Sequence, residues 1–348
     1  MKYLCLMIIF VVSLVAENLP EVVILATGGT IAGTHKDRSA TVGYKAASLP
    51  IEDLLNSVPE IHNIAKIRGR QVFQIASENM DIEHWCTLAE VVRSEINKPS
   101  VAGIVITHGT DTIEETAYFL NLVIDTHKPI VIVGAMRPAT AYSADGPLNL
   151  LNAVHVASSM KARDFGVLVV MNDCILDARN VRKSHTTRVE TFRSGNFGQI
   201  GTIISGAIHF YQAPLHRHTY KSIFNNISLD SDSYPNVEIA YCYGGTPVAM
   251  VDNMIERGAK GIVFACVGDG SLSIKFRACL PQWKKQAVLI RSTRIADGAV
   301  IRNGEVNDDE CGTIPSDTLS PCKSRILLTL CLAKGLSFEQ ITQCFMEY

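Results

Sequence analysis

The chain has 348 residues, of which 47% are hydrophobic and 19% are charged, and its formal net charge is −2. This composition is that of a globular protein and excludes a disordered chain, and the small net charge gives no electrostatic reason to expect nucleic acid or an anionic membrane as a partner. The length is sufficient for two domains of ordinary size, each with its own core.

The chain begins with an apolar stretch, MKYLCLMIIFVVSLVAEN, in which one lysine at position 2 precedes an apolar run from Tyr3 to Ala16. The run is short for a membrane span and has the features of a signal peptide, with Leu14-Val15-Ala16 as its cleavage site. We therefore predict a signal peptide over residues 1–16 and a periplasmic or secreted protein that has no membrane contact once the leader is removed. The alternatives are an uncleaved anchor or a poorly ordered terminus.

Short apolar, β-branched runs alternate with helix-like stretches along the rest of the chain. This alternation predicts an α/β fold with a parallel sheet and crossover helices. Residues 82–96 and 113–125 are predicted as amphipathic helices. The predicted strands are VVILA (22–26), GIVIT (103–107), PIVIVGA (129–135), GVLVVMN (166–172), VEIAY (237–241), GIVFACV (261–267) and AVLIRST (287–293).

A polar interval over residues 209–235 interrupts the alternation. It contains prolines and Ser-Asp repeats and has no sustained period, so we interpret it as a solvated linker. The predicted organisation is a larger N-terminal α/β domain over residues 17–208 and a smaller C-terminal α/β domain over residues 236–348.

The cysteines and histidines form no recognisable metal pattern. One of the ten cysteines, Cys5, lies in the leader, and the other nine have no CxxC spacing, which disfavours a zinc ribbon or a thioredoxin-like site. One or two disulfides are compatible with export, and the odd number would leave at least one free thiol in a monomer. No acidic or cysteine ligand accompanies His209, His216 and His218 in the linker. We predict no metal and no cofactor.

Two predicted strands end in similar motifs, since TGGT (27–30) follows the first and HGTD (108–111) follows the second. Ligands bind beyond the carboxyl ends of strands in an open parallel sheet, and glycines let a loop approach closely. Thr30, Thr110 and Asp111 are therefore candidates to face one crevice, where threonine hydroxyls suit attack on an amide. The string GGTIAG matches neither GxGxxG nor GxxxxGK[ST], which disfavours a phosphate-binding loop.

Each motif also has an ordinary interpretation. The glycines of TGGT are consistent with a plain turn, and Asp111 with Glu114 three residues later fits a helix capping box. His108 is either a general base or a buried structural group. No Ser-His-Asp order is evident, so activation of a threonine would need another arrangement. A nucleotide-binding domain built on the first motif is a weaker alternative.

Four longer segments make the chain recognisable. ILATGGTIAGT, ITHGTDTIEETAYF, GAMRPATAYSADGPLNLLNAV and VLVVMNDCILDARNVRKSHTTRVETFRS resemble the bacterial type II L-asparaginases, the exported asparaginase/glutaminase family, and the resemblance continues to the C-terminal FMEY. It implies an amidohydrolase that converts L-asparagine and water to L-aspartate and ammonia, acts secondarily on L-glutamine and forms a homotetramer. Composition and periodicity alone give only an exported two-domain α/β protein with a threonine-rich crevice.

The resemblance implies catalytic roles for five residues. Thr30 matches the nucleophile that attacks the side-chain amide, and Tyr44 matches the lid tyrosine whose hydroxyl helps to activate it. Thr110, Asp111 and Lys183 match a second group in which the lysine receives a proton or polarises a threonine. Which threonine attacks first stays open at this point.

The resemblance also implies how the substrate's charges are bound. Ser77 matches the binder of the α-carboxylate, and Glu78 and Asp111 match the acceptors of the α-ammonium group. The backbone around Ala135 and Thr110 matches the site that holds the carbonyl oxygen as negative charge develops.

Two further positions, Ser271 and Glu305, match residues that the family donates from a neighbouring subunit. Many asparagine-selective members have glutamine where this chain has Glu78 and asparagine where it has Ser271, so this chain is expected to hydrolyse glutamine measurably.

The remaining alternatives are a cytoplasmic type I asparaginase, an amidotransferase subunit and an amino-acid-binding protein without turnover. The retained Thr30 and Lys183 argue against a pure binder.

Overall fold

The computed structural model describes residues 19–348, so the predicted signal peptide lies outside the described residues. The described chain forms an eight-stranded sheet, a four-stranded sheet and a two-stranded hairpin. The predicted α/β fold with a larger N-terminal and a smaller C-terminal unit is confirmed. None of the helices in residues 19–348 has the length and apolar character needed to cross a membrane.

All seven predicted strands are present, with ends within two residues of the prediction, and the structure adds seven others. In chain order the strands are β1 (Glu21–Gly28), β2 (Lys66–Ile75), β3 (Val101–Thr107), β4 (Ile130–Val133), β5 (Val167–Met171), β6 (Cys174–Asp177), β7 (Arg182–Lys183), β8 (Phe192–Arg193), β9 (Gly201–Ile204), β10 (Ala207–Phe210), β11 (Val237–Tyr241), β12 (Gly261–Cys266), β13 (Val288–Thr293) and β14 (Thr313–Pro315).

The two predicted helices are also present, among others that the sequence did not single out. The α-helices are α1 (Ile51–Asn56), α2 (Ile82–Ile96), α3 (Ile113–Val123), α4 (Gly146–Ser158), α5 (Ala249–Glu256), α6 (Ile274–Trp283), α7 (Asp308–Cys311), α8 (Pro321–Ala333) and α9 (Phe338–Glu347).

The larger sheet has the strand order β10-β9-β6-β5-β4-β3-β1-β2. The strands from β2 to β5 pair in parallel, and β6, β9 and β10 extend the sheet with antiparallel pairing. The chain crosses from β1 to β2 on one side and then returns to β3 on the other, which makes the gap between β1 and β3 a topological switch point. Open α/β sheets bind their ligands at such a point.

Helices cover both faces of the larger sheet. In β1, Val23 and Leu25 face the layer that contains α2, α3 and α8, whereas Val22 and Ile24 face α1 and α4. Because both faces are buried, the parallel strands are apolar throughout, and this pattern made them predictable. The first of these two cores continues through α8 to the smaller sheet, whose order is β11-β12-β13-β14 and whose pairing is parallel.

Helix α3 differs from its prediction as an amphipathic helix. Nine of its eleven residues are buried, because α2 and α8 pack on the sides that do not face the sheet. Only the first turn, with Glu114 and Glu115, keeps partial exposure. The helix therefore lies between the two units and places its N-terminus at the switch point.

The segment over residues 209–235, which we interpret as a linker, is mostly exposed or half-buried and is anchored to the fold at a few points. Its first two residues complete β10, and farther along Phe224 and His218 are buried. The backbone N–H of Ile223 donates to the hydroxyl of the C-terminal Tyr348 at 2.7 Å. Only four residues of the segment are buried, so its role as the connection between the two domains stays a prediction.

Candidate active site

The loops after β1, β2 and β3 lie in direct backbone contact. Gly28 and Gly29 have φ values of 110° and 81°, which favour glycine. A Cβ atom on Gly29 would collide with the backbone of Gly109, one on Gly28 with the backbone of Ile75, and one on Gly109 with the side chain of Ser77. Gly28 and Gly29 therefore allow the loops after β1, β2 and β3 to interlock. A plain turn would not require glycines with such close backbone contacts.

Thr30 begins the short helix that follows these glycines and is 6% exposed. Its Oγ1 lies 2.8 Å from the hydroxyl oxygen of Tyr44. Tyr44 belongs to a segment that we call the lid (residues 34–45), whose two ends are joined by backbone hydrogen bonds of 2.9 Å between Thr34 and Lys45. The structure therefore brings together the two residues that the resemblance implies for nucleophilic attack.

The lid is held by the loop after β4, through residues that the sequence analysis did not single out. Thr140 Oγ1 accepts from the N–H of His35 at 2.9 Å and donates to the carbonyl of the same residue at 3.1 Å. The guanidinium of Arg38 lies over the ring of Tyr142, 4.7 Å from its centroid. Thr140 and Tyr142 lie within the quoted motif GAMRPATAYSADGP, but they contact a backbone and a guanidinium of the lid, and sequence spacing gives no signal for such contacts.

A second hydroxyl group lies at the end of β3. The ammonium of Lys183, on the β7–β8 hairpin, donates to Thr110 Oγ1 at 2.9 Å and to Asp111 Oδ1 at 2.5 Å. The backbone N–H of Lys183 donates to Glu114 Oε2 at 3.1 Å. The capping-box interpretation of Asp111 and Glu114 is wrong, since the N-cap of α3 is Thr112 and no side chain caps the helix.

Ser77 joins the loop after β2 to the loop after β3. It is 4% exposed, and its Oγ accepts a hydrogen bond from the N–H of Asp111 at 3.2 Å. Its carbonyl accepts from the hydroxyl of Thr112 at 2.8 Å. Glu78 follows in the same short helix and is exposed. A small buried hydroxyl beside an exposed carboxylate suits a ligand that carries both charges.

Backbone N–H groups at the end of β4 are available to a ligand. Neither Ala135 nor Thr110 has an acceptor for its backbone N–H among residues 19–348, although both residues are buried. Asp145 fixes the loop around Ala135, because its carboxylate accepts from the N–H groups of Met136 and Arg137, both at 2.9 Å. A buried N–H without a partner is costly, so these two N–H groups favour a ligand oxygen as their acceptor.

His108 is a structural group and does not line the site as a base. It is fully buried, and its ring nitrogens lie 2.7 Å from the carbonyl of Gly109 and 3.0 Å from Thr116 Oγ1. The indole of Trp85 donates to the same hydroxyl at 2.9 Å. Burial lowers the pKa of His108 to about 4, so the ring is neutral at pH 7.

Ser271 and Glu305 lie on loops of the smaller sheet. Ser271 forms an isolated bridge with Val267 after β12, and Glu305 lies exposed in the loop before α7. Within the described chain neither side chain makes a hydrogen bond to Thr30 or to Lys183. The structure therefore brings together the residues implied for the larger sheet and does not join these two to them within one subunit.

The remaining cysteines and histidines form no cluster in the described part of the chain. No group of three or more His, Cys, Asp and Glu side chains there has the arrangement of a metal site. The nine cysteines after the leader are all free thiols, and five of them are buried in the core clusters.

Known proteins are similar to this chain over most of its length. A family model described as "Asparaginase, N-terminal" matches residues 21–216, and one described as "Glutaminase/Asparaginase C-terminal domain" matches residues 236–345. A "Probable L-asparaginase periplasmic" from Haemophilus influenzae is 44% identical over 96% of this chain and 94% of its own length.

Two further similarities agree with these. A "Glutaminase-asparaginase" from Pseudomonas fluorescens biotype A is 44% identical over 99% of this chain and 97% of its own length. The solved structure of a "Probable Cytoplasmic L-asparaginase" from Campylobacter jejuni superposes with a TM-score of 0.88 at 40% identity, and it covers 94% of this chain and 100% of its own.

Proposed function

Because this chain belongs to the asparaginase family, we propose that it hydrolyses L-asparagine to L-aspartate and ammonia through a threonine nucleophile, with secondary activity on L-glutamine. The observation that carries the proposal is the pair of hydroxyl groups at the switch point of the larger sheet. Thr30 lies against Tyr44 and Thr110 lies against Lys183, at the ends of neighbouring strands.

Substrate binding uses the loops after β2 and β3. We assign the α-carboxylate of the substrate to Ser77 and the α-ammonium group to Glu78 and Asp111. Asp111 shares its carboxylate with Lys183, so that one group orients both the substrate and the catalytic lysine. Fixing the substrate's two charged groups places its side-chain amide in the crevice between the threonines, and such positioning lowers the barrier for the reaction.

In the first chemical step, Thr30 Oγ1 attacks the amide carbonyl carbon while Tyr44, whose hydroxyl oxygen lies 2.8 Å away, accepts the hydrogen bond of the Thr30 O–H and relays the proton toward the amide nitrogen by donating its own. The carbonyl oxygen becomes negatively charged and is held by the free N–H groups of Ala135 and Thr110. Loss of one such donor typically costs about 10²–10³ in rate. The C–N bond then breaks, the nitrogen takes up the proton that Thr30 has lost, and ammonia leaves an ester on Thr30, while Lys183 keeps Thr110 in place for the second step.

In the second step, water attacks that ester. Thr110 accepts a hydrogen bond from Lys183, which leaves its own O–H free to orient and exchange a proton with the incoming water. The ester C–O bond breaks, Thr30 regains its proton, and aspartate is released. The sum is one amide and one water converted to one carboxylate and ammonia, which requires no cofactor.

We propose that the assembly is a homotetramer in which Ser271 and Glu305 complete the site of a neighbouring subunit. Apolar side chains around Ser271 support an interface there. Tyr243 is 53% and Ile274 is 86% exposed in the single chain, and exposed apolar side chains of this kind suit a protein contact. Light scattering on the purified protein measures the mass of the assembly, and a monomer would contradict the shared site.

We also propose export to the periplasm or beyond, on the basis of the apolar leader. Of the similar proteins described above, one is named as periplasmic and another as cytoplasmic. N-terminal sequencing of the protein from its native host tests the proposal: a chain that begins near residue 17 supports export, and a chain that begins at Met1 contradicts it. The domain bounds 17–208 and 236–348, with a connecting segment over 209–235, stay proposals that limited proteolysis would test.

The activity is tested by ammonia release from asparagine and from glutamine. The wild type is expected to act on asparagine faster than on glutamine, and Thr30→Ala is expected to release none above background. Thr34→Ala is the matched control, since Thr34 lies in the lid and its side chain makes no hydrogen bond among residues 19–348. If the wild type released no ammonia while asparagine or aspartate raised its melting temperature, the chain would be an amino-acid-binding protein.

A further inference from the structure

A buried lysine in the C-terminal unit contacts the segment that carries Lys183. Lys323 is 0% exposed and lies in the first turn of α8, which follows the N-cap Ser320. Its ammonium donates to the carbonyl of Arg179 at 2.8 Å and to the carbonyl of Val181 at 2.6 Å. These two carbonyls belong to alternate residues of the segment that leads from β6 to Lys183 (residues 178–183).

The burial of the Lys323 ammonium has two free-energy costs. A fully buried ammonium loses its hydration, and Lys323 forms no salt bridge with a carboxylate in the described part of the chain to offset that loss. A cation in the first turn of a helix also opposes the helix dipole. Burial accordingly lowers the pKa of Lys323 to about 8. An apolar side chain would avoid these costs but would leave the carbonyls of Arg179 and Val181 without this donor, so the contact with the two carbonyls is what the lysine provides.

The charges that face Lys323 come from two elements. On α3 stands Glu114, which also accepts the backbone N–H of Lys183. On the contacted segment stand Asp177, Arg179 and Arg182. Glu114 is thus near both lysines, and its carboxylate offsets part of the repulsion that Lys323 would otherwise exert on the cations of the segment.

The same segment has further anchors on the C-terminal unit. The guanidinium of Arg179 donates to the hydroxyl of Thr318 at 2.7 Å and to the carbonyl of Tyr348 at 2.8 Å. That of Arg182 donates to the carbonyl of Thr318 at 2.8 Å. These bonds fix the segment through its own side chains. Lys323 instead binds the backbone of the segment, at the carbonyls of Arg179 and Val181, which precede Lys183.

We propose that Lys323 is a positioning residue for the hydrolysis, which sets the place of the Lys183 ammonium against Thr110 through the carbonyls of Arg179 and Val181. The inference rests on the proposed function. It also gives the C-terminal unit a part in the reaction within its own subunit, separate from the residues that it is proposed to donate to a neighbour.

The test is Lys323→Met, which keeps the length of the side chain and removes its donors. We expect kcat for asparagine to fall about 10- to 100-fold, because small misplacements of catalytic groups cost up to about 10²-fold. We expect KM to change less than about threefold, because Ser77 and Glu78 lie on another loop. Cys331→Ala is the matched control, a buried change in the same helix that leaves the contacted carbonyls alone.

Amide hydrogen exchange gives a readout that is independent of turnover. In Lys323→Met the amides over residues 178–184 are expected to exchange at least about tenfold faster than in the wild type, whereas Cys331→Ala should leave them unchanged. Exchange that rises equally in both variants, or an unchanged kcat in a folded Lys323→Met protein, would overturn the proposal. If the wild type itself lacked activity, the proposed function would fail while the exchange result still tested the positioning.

A second variant covers the case in which Lys323→Met does not fold. Lys323→Gln keeps an N–H donor without a charge, so it should retain part of the contact and lose less of kcat than the methionine variant. A glutamine variant that folds with full kcat and wild-type exchange over residues 178–184 would contradict the proposal, because a shorter neutral donor cannot hold both carbonyls.

Discussion

The two parallel sheets of this chain end in loops of different kinds. Beyond β1, β2 and β3 the loops interlock, and the hydroxyls of Thr30, Ser77 and Thr110 are held at 6%, 4% and 5% exposure. Beyond β11 and β12 of the smaller sheet the loops open to solvent, and Tyr243 and Ile274 are exposed. Both sets of loops follow strands that pair in parallel, so parallel pairing alone does not make a site.

The difference lies in what the glycines of each loop contact. In the larger sheet, the backbone of another loop occupies the place where a side chain would start, so hydroxyl groups are fixed with few degrees of freedom. In the smaller sheet, Gly244 and Gly245 after β11 have open space around them, and a Cβ on Gly270 after β12 would meet side chains and not the backbone of another loop. We infer that the loops of the larger sheet form the catalytic cluster. The smaller unit positions this cluster through Lys323 within its own subunit and contributes Ser271 and Glu305 to the site of a neighbouring subunit. Four predictions test this comparison.

The largest effect is expected from Lys183→Met, which removes the ammonium that joins Thr110 to Asp111. General acid–base groups contribute about 10²–10⁴-fold, so kcat should fall by about 10³-fold. Lys45→Met, at the exposed end of the lid, serves as the control and should retain activity. Ammonia release under saturating asparagine measures both. If the Lys183→Met protein kept more than a tenth of the wild-type kcat, the proposed role of Lys183 and Thr110 in the mechanism would be wrong.

Gly29→Ala tests the interlocking of the loops. Its Cβ would meet the backbone of Gly109, which cannot give way as a side chain would, so we expect a loss of stability of about 3 kcal/mol or more. Gly43→Ala is the control, because Gly43 also has a positive φ of 72° but has no atom near the added Cβ. It should lose only about 1 kcal/mol. Denaturant titration measures both, and equal losses would show that φ alone accounts for the glycines.

The pH dependence of stability should differ between the two units, since all ten histidines lie before residue 219. The pKa of His108 is lowered from 6.5 to about 4, so below pH 6.5 the unfolded chain binds a proton that the native chain does not. Stability is full above that pH and falls toward pH 4, by about 3 kcal/mol for this residue. Since burial also lowers the pKa of His216 and His218, the wild type must be compared with a variant.

That variant is His108→Asn, which keeps a polar group and cannot titrate in this range. Between pH 7 and pH 4 it should lose less stability than the wild type, although it is less stable at pH 7. Urea titration at several pH values measures the difference. Parallel pH profiles for the two proteins would show that His108 is not the group that makes the larger unit acid-sensitive.

The smallest effect is expected from Glu305→Ala, which changes a residue of the smaller sheet. If Glu305 serves a neighbouring site, KM for asparagine should rise about tenfold, which corresponds to about 1.4 kcal/mol of lost binding. Glu310→Ala, in the nearby α7, is the control. Mixed and reassembled Glu305→Ala and Thr30→Ala proteins should recover part of the activity, since some hybrid sites are intact. An absence of recovery would place Glu305 outside the site.

Much of the fold was predictable because buried parallel strands are apolar throughout. β1 and β3 illustrate this, whereas β2 was missed because KIRGRQVFQI forms the edge of the sheet and keeps polar residues on both faces. The burial of His218 and Phe224 was not predictable, since the polar segment that contains them has the composition of a loop.

The site was predictable from the sequence only in part. Gly-Thr motifs after two strands indicated a crevice, but the contact of Tyr44 with Thr30 followed from the resemblance and not from spacing. Asp145 and Thr140 were missed because they bind backbone groups of loops whose paths a sequence does not show. Lys323 gave no signal at all, because a lysine in a helix is ordinarily exposed.

The most direct test of the account is to identify the residue that carries the acyl intermediate. Turnover with asparagine is quenched in acid, and the digested protein is analysed by mass spectrometry. The account predicts an aspartyl ester on the peptide that contains Thr30, and no ester in Thr30→Ala. An ester on Thr110 would reverse the roles of the two hydroxyl groups. No ester on either threonine, in a protein that releases ammonia, would contradict covalent catalysis by the interlocked loops.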